Sequence, residues 1–189
     1  RAFACNVADE AQIRLVLENI RASFGTIRGV IHTAVLLDDK LLADEDWQHF
    51  ADITRPKIEG AIHLHNLTLH DPLDIFVVFS SSNAATAAHG QANYNAANMF
   101  VESLSVLRRQ MGLASTCINL GPVLNFGIAA RGNVIGALQS QGVLPINEQQ
   151  LCRVFTLALA ERASGALTPV RAMSQVQVYA CHFEWDDVF

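Results

Sequence analysis

The sequence carries little charge and has no long run of either basic or apolar residues. Only 16% of its 189 residues are charged, the formal net charge is −5, and the longest basic run is Arg108-Arg109. Binding to nucleic acid or to an anionic membrane surface needs clustered lysine and arginine, so both functions are disfavoured. Apolar runs such as residues 75–79 are about five residues long, too short to span a bilayer, and the N-terminus has no signal-peptide pattern. We therefore expect an intracellular, cytoplasmic protein.

The sequence also lacks the residue clusters that hold metals or form disulfides. His63 and His65 lie two residues apart on a predicted helix, where their side chains diverge, which favours surface histidines over metal ligands. We expect no metal site. The cysteines form no CxxC pair, so we expect buried free thiols in a reducing compartment. The four cysteines are Cys5, Cys117, Cys152 and Cys181.

Strand and helix patterns alternate along the chain. Asp9, with Gln12 three residues later, predicts the start of a helix that Gly25 ends. Pro56 either kinks a long helix over residues 45–69 or divides it. The buried face of the first helix is predicted to be Ile13, Val16, Leu17, Ile20 and Phe24. The predicted strands are residues 3–7, 27–32, 73–80, 115–120 and 176–183, and the remaining helices are residues 91–111, 134–141 and 147–160.

This alternation predicts one α/β domain with a doubly wound parallel sheet, helices on both faces and right-handed crossovers. Residues 73–80 have the continuous apolar character of a central strand. Ligands bind such sheets at the carboxyl ends of the strands. Ser81 lies at one such end and Gly121-Pro122 follows another, so we expect the functional site there.

Four residues in this region are spaced for proton delivery to a carbonyl group. Tyr94 and Asn98 lie four residues apart and share one helix face, and Ser81 precedes Tyr94 by thirteen residues, enough to return to the same point. Lys57, on the preceding helix, could approach from beneath. Because a phenol has a pKa of about 10, a nearby ammonium is a common way to favour its ionised form.

These residues stand within phrases that resemble the ketoreductase domain of polyketide synthases, a branch of the short-chain dehydrogenase/reductase superfamily. The resemblance is to the carboxyl-terminal part of that domain and covers most of residues 1–132. Ordinary short-chain dehydrogenases have lysine four residues after the tyrosine, whereas Asn98 stands there and Lys57 lies on the earlier helix. This different position of the lysine disfavours the interpretation of the chain as a stand-alone short-chain dehydrogenase. The phrases are GVIHTAVLLDD (29–39), RPKIEGAIHLHNLT (55–68), LDIFVVFSSS (73–82) and GQANYNAANMFVESLSVLRRQMGLASTCINLGPV (90–123).

The resemblance implies a Rossmann-like fold and NADPH-dependent reduction of a 3-oxoacyl thioester to the 3-hydroxyacyl thioester. The substrate would be bound to the phosphopantetheine of an acyl carrier protein, within a larger multidomain synthase. Tyr94 would donate the proton and Ser81 would hydrogen-bond the carbonyl. Lys57 would lower the tyrosine pKa and touch the nicotinamide ribose, and Asn98 would support the lysine.

The resemblance also implies a cofactor cleft and a substrate lid. The lid would lie within residues 121–145, because the loop over residues 125–144 follows a strand end and contains four glycines. The cleft residues would be Asn6 and Val7 near the adenine, His32, Thr33 and Ala34 at a strand end, and Pro122 and Val123 near the carboxamide.

Some positions depart from the common pattern of the family. Asn6 stands where relatives usually have Asp, at the position expected to contact the adenine. Val35 replaces a glycine common in bacterial members, as in iterative fungal synthases and animal fatty acid synthase, so a ketoreductase of the latter type is an alternative. Leu37-Asp38-Asp39 resembles the marker of one stereochemical class, and no Trp precedes Tyr94 by eight residues. Asp38 and Asp39 fit a loop-solvating pair and a substrate-guiding role equally well.

The glycine-rich turn that binds the cofactor pyrophosphate is absent. In the resembling fold the sheet order is 3-2-1-4-5-6-7, and residues 3–7 would be strand 3, so the first β-α-β unit is lacking and the strand over residues 27–32 has an open edge. We expect the cofactor half upstream of Arg1 and poor NADPH binding by these 189 residues alone, which micromolar affinity in a calorimetric titration would contradict. The alternative is a non-catalytic scaffold domain that retains the fold.

Overall fold

The computed structural model describes residues 1–86, 89–124, 143–163, 177–180 and 182–183. Helices and strands alternate through most of this part, and none of its helices is long and apolar enough to cross a membrane. The helices are α1 (Glu10–Phe24), α2 (Trp47–Leu67), α3 (Asn83–Thr86), α4 (Ala92–Gln110) and α5 (Glu148–Ala163). The strands are β1 (Gly29–His32), β2 (Ile75–Ser81), β3 (Thr116–Leu120), β4 (Val143–Leu144), β5 (Gln177–Ala180) and β6 (His182–Phe183).

Four strands form one parallel sheet in the order β1-β2-β3-β5. They lie side by side in chain order because each is reached by a crossover that returns to the same end of the sheet. β1 pairs with β2 on one side, and no strand among the described residues lies on its other side, where the sequence leads us to expect an open edge. Strands β4 and β6 form a separate antiparallel pair.

Helices cover both faces of the sheet, as predicted. On one face, side chains of α1, α2 and α4 pack with Val30, Phe76 and Val78 in a single apolar cluster. On the other face, Val77 and Ile118 pack against α5. The alternation of Phe76, Val77 and Val78 between the two clusters follows from the two-residue period of a strand. It explains why β2 is apolar at successive positions.

Helix α1 begins where the sequence predicts. Asp9 accepts a hydrogen bond from the Gln12 backbone N–H at 3.1 Å, and Gly25 ends the helix with φ of 84°. Of the predicted buried face, Ile13 and Leu17 are buried, but Phe24 is 63% exposed. The prediction was wrong for Phe24 because the helix ends there, beyond the surface that α1 covers.

Two predicted strands differ from the structure. Residues 3–7 form no strand, although their apolar pattern suits one, because no strand of the described chain lies beside them to pair with. The last predicted strand, residues 176–183, contains two short strands that belong to different sheets. The predicted helix over residues 134–141 lies outside the described residues, and so does most of the predicted lid.

Burial of the cysteines and histidines was predicted only in part. Cys117 on β3 is buried, whereas Cys5 and Cys152 are exposed, and all three are free thiols. His65 is buried, not on the helix surface, and its Nδ1 lies 2.7 Å from Nη1 of Arg108, itself 1% exposed. Burial lowers the pKa of His65, and the positive charge of Arg108 lowers it further by a smaller amount. His65 therefore packs in the interior, next to the apolar cluster of α2 and α4.

Helix α2 continues through Pro56 as one element, so the sequence alternative of two separate helices is excluded. Gly60, one turn later, lies where this helix comes close to Val7 and His32. A Cβ atom at position 60 would lie 2.8 Å from Val7 Cγ2 and 3.0 Å from His32 Cε1. The absence of a side chain at Gly60 therefore permits the close packing of α2 against β1 and the segment before α1.

We expect Gly60→Ala to lower the free energy of unfolding by about 1 to 3 kcal/mol, because the added methyl overpacks this contact. The loss should occur although alanine is the better helix former by about 1 kcal/mol. Urea unfolding monitored by circular dichroism would measure it. Val7→Ala removes the nearest methyl groups, so the double variant should lose less than the sum of the single losses. An unchanged free energy of unfolding in Gly60→Ala would contradict the close contact.

Candidate active site

A cavity of about 1110 Å³ opens at the carboxyl ends of β1, β2 and β3. This is the edge at which doubly wound sheets bind their ligands. Three of the four residues predicted for proton delivery, Lys57, Ser81 and Tyr94, line it. The fourth, Asn98, is fully buried behind the wall and touches the lysine.

Lys57 reaches the cavity from α2 and is buried for most of its length. Its Nζ donates hydrogen bonds to Oδ1 of Asn98 at 2.6 Å and to the backbone carbonyl of Phe79 at 3.1 Å. Nζ also lies 5.3 Å from the centroid of the Tyr94 ring. An ammonium group has three hydrogens to donate, so one remains for a group in the cavity.

The electrostatic setting of Lys57 follows from its burial. The residue is 6% exposed, and the loss of hydration lowers its pKa from 10.5 to about 8. The neighbouring imidazole of His32 is buried as well, and burial lowers its pKa. Lys57 is therefore poised to change its charge only slightly above neutral pH.

Ser81 and Tyr94 present their side chains to the cavity from different elements. Ser81 is the last residue of β2, and its Oγ accepts a hydrogen bond from the Asn83 backbone N–H at 3.2 Å. The hydroxyl hydrogen of Ser81 can therefore point towards a group bound in the cavity. Tyr94 lies in the first turn of α4, and Asn98 follows one turn later on the same side.

The loop after β1 is attached to the beginning of α4. Asp38 and Asp39 both line the cavity, and each also contacts residues just before Tyr94. The sequence left a solvating role and a substrate-guiding role open, and the structure adds that these residues fix the loop to α4. The hydrogen bonds are Lys40 N to Gly90 O at 2.8 Å, Gln91 Nε2 to Asp39 Oδ2 at 3.0 Å and Asn93 Nδ2 to Asp38 O at 3.2 Å.

Asn93 is the central residue of this attachment. It is 1% exposed, accepts from the Tyr94 backbone N–H at 2.6 Å and donates to Oε2 of Glu45 at 3.0 Å. His49 bonds the same Glu45, and its Nε2 lies 3.1 Å from Asp38 Oδ2. The hydrogen bond to Glu45 raises the pKa of His49, and the weaker effect of the hydrogen bond to Asp38 acts in the same direction. The backbone at Tyr94 is thereby held by side chains that the sequence did not single out.

The residues predicted to bind the cofactor lie in different surroundings. Thr33, Pro122 and Val123 line the cavity, but His32 does not: it is buried, and its Nε2 lies 3.0 Å from the backbone carbonyl of Lys57. His32 therefore supports α2 beneath the lysine. Ala34 is half-buried outside the cavity wall.

Asn6 and Val7 lie at the start of α1, away from the cavity lining. Asn6 is exposed, donates its backbone N–H to Gln12 Oε1 at 2.8 Å and accepts from the Ala8 backbone N–H at 3.0 Å. Val7 is half-buried and packs against the apolar cluster under α2. Their contact with an adenine stays a prediction.

Helix α5 supplies a wall of the cavity that sequence reasoning missed. Phe155 stacks on Phe79 with ring centroids 6.2 Å apart. The helical spacing of these lining residues could have shown that they share a face, but not that this face meets the cavity. The lining residues of α5 are Leu151, Cys152, Phe155 and Thr156.

Comparison with known proteins gives consistent matches. Residues 1–125 match the family model of the KR domain. A hybrid PKS-NRPS synthetase of Penicillium citrinum is 32% identical over 98% of this chain, and a highly reducing polyketide synthase of Penicillium decumbens is 39% identical over 86%. The chain spans only 5% and 6% of the lengths of these two relatives.

A solved structure shares the fold over the whole chain. It is the ketoreductase from the first module of phoslactomycin biosynthesis in Streptomyces sp. HK803, with a TM-score of 0.83 and 26% identity. The match covers 100% of this chain and 40% of that one. The Rossmann-like fold expected from the sequence is confirmed.

Proposed function

Because the chain belongs to the KR domain family, the ketoreductases of polyketide synthases, we propose that it reduces a 3-oxoacyl thioester to the 3-hydroxyacyl thioester within a larger synthase. The acyl chain is carried on the phosphopantetheine of an acyl carrier protein, and other domains of the same polypeptide extend it. A cytoplasmic location is part of the same proposal. The observation that carries the proposal is the 2.6 Å contact of Lys57 Nζ with Asn98, beside the Tyr94 ring in a cavity that Ser81 shares.

The cavity residues fit the nicotinamide end of NADPH, which supplies the hydride when bound. Lys57 keeps one ammonium hydrogen for a ribose hydroxyl, since Asn98 and Phe79 take the other two in the described structure. Pro122 and Val123 line the same cavity beyond β3 and would contact the carboxamide. The described residues contain no glycine-rich turn for the pyrophosphate, so the proposal covers the nicotinamide end only.

The side chains divide the work of proton transfer. Tyr94 Oη gives its proton to the substrate oxygen as negative charge develops there, and Ser81 Oγ–H donates a hydrogen bond to the same oxygen. The positive charge of Lys57 stabilises the negative charge left on the phenol, and Asn98 holds the ammonium in place. One hydride on carbon and one proton on oxygen balance the reduction.

The proposal is tested in the full-length synthase that encloses this chain. A 3-oxoacyl thioester on the carrier protein is incubated with NADPH or with NADH, and the 3-hydroxyacyl product is detected by mass spectrometry. We expect product with NADPH and much less with NADH. Failure to form product with either cofactor, by a folded protein, would instead favour the scaffold alternative. A strong preference for NADH would overturn the assignment of NADPH alone.

A further inference from the structure

Glu102 is a buried carboxylate that the proton-transfer scheme does not use. It is 5% exposed and lies on α4, one helical turn after Asn98 and two turns after Tyr94. Charged side chains are rarely buried unless they are paired and hydrogen-bonded. A carboxyl group buried directly behind the candidate site therefore suggests that Glu102 contributes to the function of that site.

Two hydrogen bonds connect Glu102 to the sheet. Its Oε1 accepts from the Ser80 hydroxyl and from Nδ2 of Asn119. Ser80 and Asn119 are paired across β2 and β3, so one oxygen atom ties α4 to two adjacent strands. Cys117 Sγ donates to Oδ1 of Asn119 at 3.8 Å, which directs the amide hydrogens of Asn119 towards Glu102. Both partners donate to this one oxygen, so Oε1 acts as the acceptor of two hydrogen bonds.

Glu102 is bonded to the end of β2 that lines the cavity. The carbonyl of Phe79 accepts from Lys57, Ser80 bonds Glu102, and Ser81 lines the cavity. Of three consecutive residues of β2, the first therefore bonds Lys57, the second bonds Glu102 and the third lines the cavity. A shift of α4 along β2 would move Tyr94 relative to Ser81, and the bonds of Glu102 oppose that shift.

Glu102 also balances the charge of Lys57. Burial lowers the pKa of Lys57 to about 8, and the charge that Cys117 would carry as a thiolate and the charge of Glu102 both oppose that shift. Burial raises the pKa of Cys117 to about 12, so its thiol is neutral when Lys57 titrates. The other titratable groups that face Lys57 are His32 from β1 and Tyr94 from α4. Glu102 is the carboxyl group of this set, and the structure places it next to the lysine, since Lys57 bonds Phe79 and Glu102 bonds the following residue, Ser80.

We propose that Glu102 is a positioning residue for the reduction: its carboxylate fixes α4 against the end of β2 and balances the buried ammonium of Lys57. The inference rests on the proposed function. It requires no contact between Glu102 and the substrate or cofactor, because the residue acts through Ser80, Asn119 and Lys57.

Glu102→Gln in the full-length synthase separates charge from shape. The amide oxygen can accept the hydrogen bonds of Ser80 and Asn119, so this anchoring is kept while the negative charge is lost. Lys57 then loses its proton more easily, and we expect the alkaline limb of the kcat/KM profile to move to lower pH by about 0.5 to 1 unit. Glu59→Gln is the matched control, since Glu59 lies on the same helix as Lys57 but is paired with Arg55 at the surface, and its profile should stay unchanged. A Glu102→Gln profile that superimposes on that of the unmodified enzyme would overturn the proposal.

Glu102→Asp tests the anchoring role and covers the case in which the glutamine variant does not fold. It keeps the charge but is too short to reach both partners, so we expect an unmoved alkaline limb and a kcat lowered by about 3- to 10-fold. An unaltered kcat in Glu102→Asp would overturn the anchoring role. An alkaline limb of the kcat/KM profile that moves as far as the one expected for Glu102→Gln would overturn the charge role.

A titration without turnover distinguishes failure of this inference from failure of the proposed function. Lys40 and Lys57 are the two lysines of the chain, so amine labelling of the full-length synthase at a series of pH values, followed by mass spectrometry of the two peptides that contain them, gives a midpoint for each. We expect the Lys57 midpoint to fall in Glu102→Gln while that of Lys40 stays. An unmoved Lys57 midpoint would refute the coupling. A lowered midpoint in a synthase that fails to reduce its substrate would refute the proposed function alone.

Discussion

Replacing Tyr94 by Phe is expected to lower kcat/KM for reduction of the 3-oxoacyl thioester by about 100- to 10,000-fold, the usual contribution of a positioned general acid. The change removes one oxygen atom. The ring that faces Lys57 Nζ at 5.3 Å remains, and so does the backbone hydrogen bond to Asn93. The fold and the binding of NADPH by the full-length enzyme should therefore be retained. Stopped-flow measurement of NADPH oxidation, with circular dichroism and cofactor titration, would show the effect.

The chain offers a matched control for this change. Tyr179, on β5, is its one other tyrosine, so Tyr179→Phe removes the same group from a residue outside the proposed quartet. Turnover of Tyr179→Phe should stay close to that of the unmodified enzyme. Comparable turnover in Tyr94→Phe would remove Tyr94 from the role of proton donor.

Sequence reasoning succeeded where a feature depends on neighbours along the chain. The start of α1 at Asp9 depends on a residue three positions later, and the alignment of Tyr94 with Asn98 depends on one helical turn. The parallel order of β1, β2, β3 and β5 follows from crossovers that each return the chain to the same end of the sheet. These rules also bring Ser81 and Lys57 to one edge of the sheet, so the main part of the site was predictable.

Features that depend on distant partners were not predictable. Residues 3–7 have a strand-like sequence, but a strand exists only where another one pairs with it. The burial of His65 depends on Arg108, which is 43 positions away in the sequence. The hydrogen bonds of Asn93 to Glu45 and the loop after β1 likewise join segments about fifty residues apart. No local pattern contains such information.

Burial of a charge is the most consequential of these distant effects. In the sequence, Lys57 follows a proline and resembles a solvated surface lysine. In the structure it is 6% exposed, and its ammonium donates hydrogen bonds to Phe79 and Asn98. A lysine in this state has a pKa of about 8 in place of the usual 10.5, which the spacing of residues alone could not show.

Lys57→Met is therefore expected to lower kcat/KM by about 100-fold or more and to change its pH dependence. For the unmodified enzyme, kcat/KM should fall as pH rises through about 8, because the lysine loses its proton there and its positive charge with it. Methionine has no proton to lose, so the remaining activity of the variant should lack that limb. Initial rates in the full-length synthase between pH 6 and pH 10, about two units either side of the expected midpoint, would test this.

Lys57→Arg is the informative companion, since arginine keeps the charge at every pH of the experiment but its planar fork replaces the compact ammonium that bonds Asn98 and Phe79. We expect reduced turnover without the limb near pH 8, because the guanidinium does not titrate there. If Lys57→Met kept the same alkaline limb as the unmodified enzyme, another group would be responsible for it. Lys57 would then lose its electrostatic role, whereas the assignment of Tyr94 would stand on its own test.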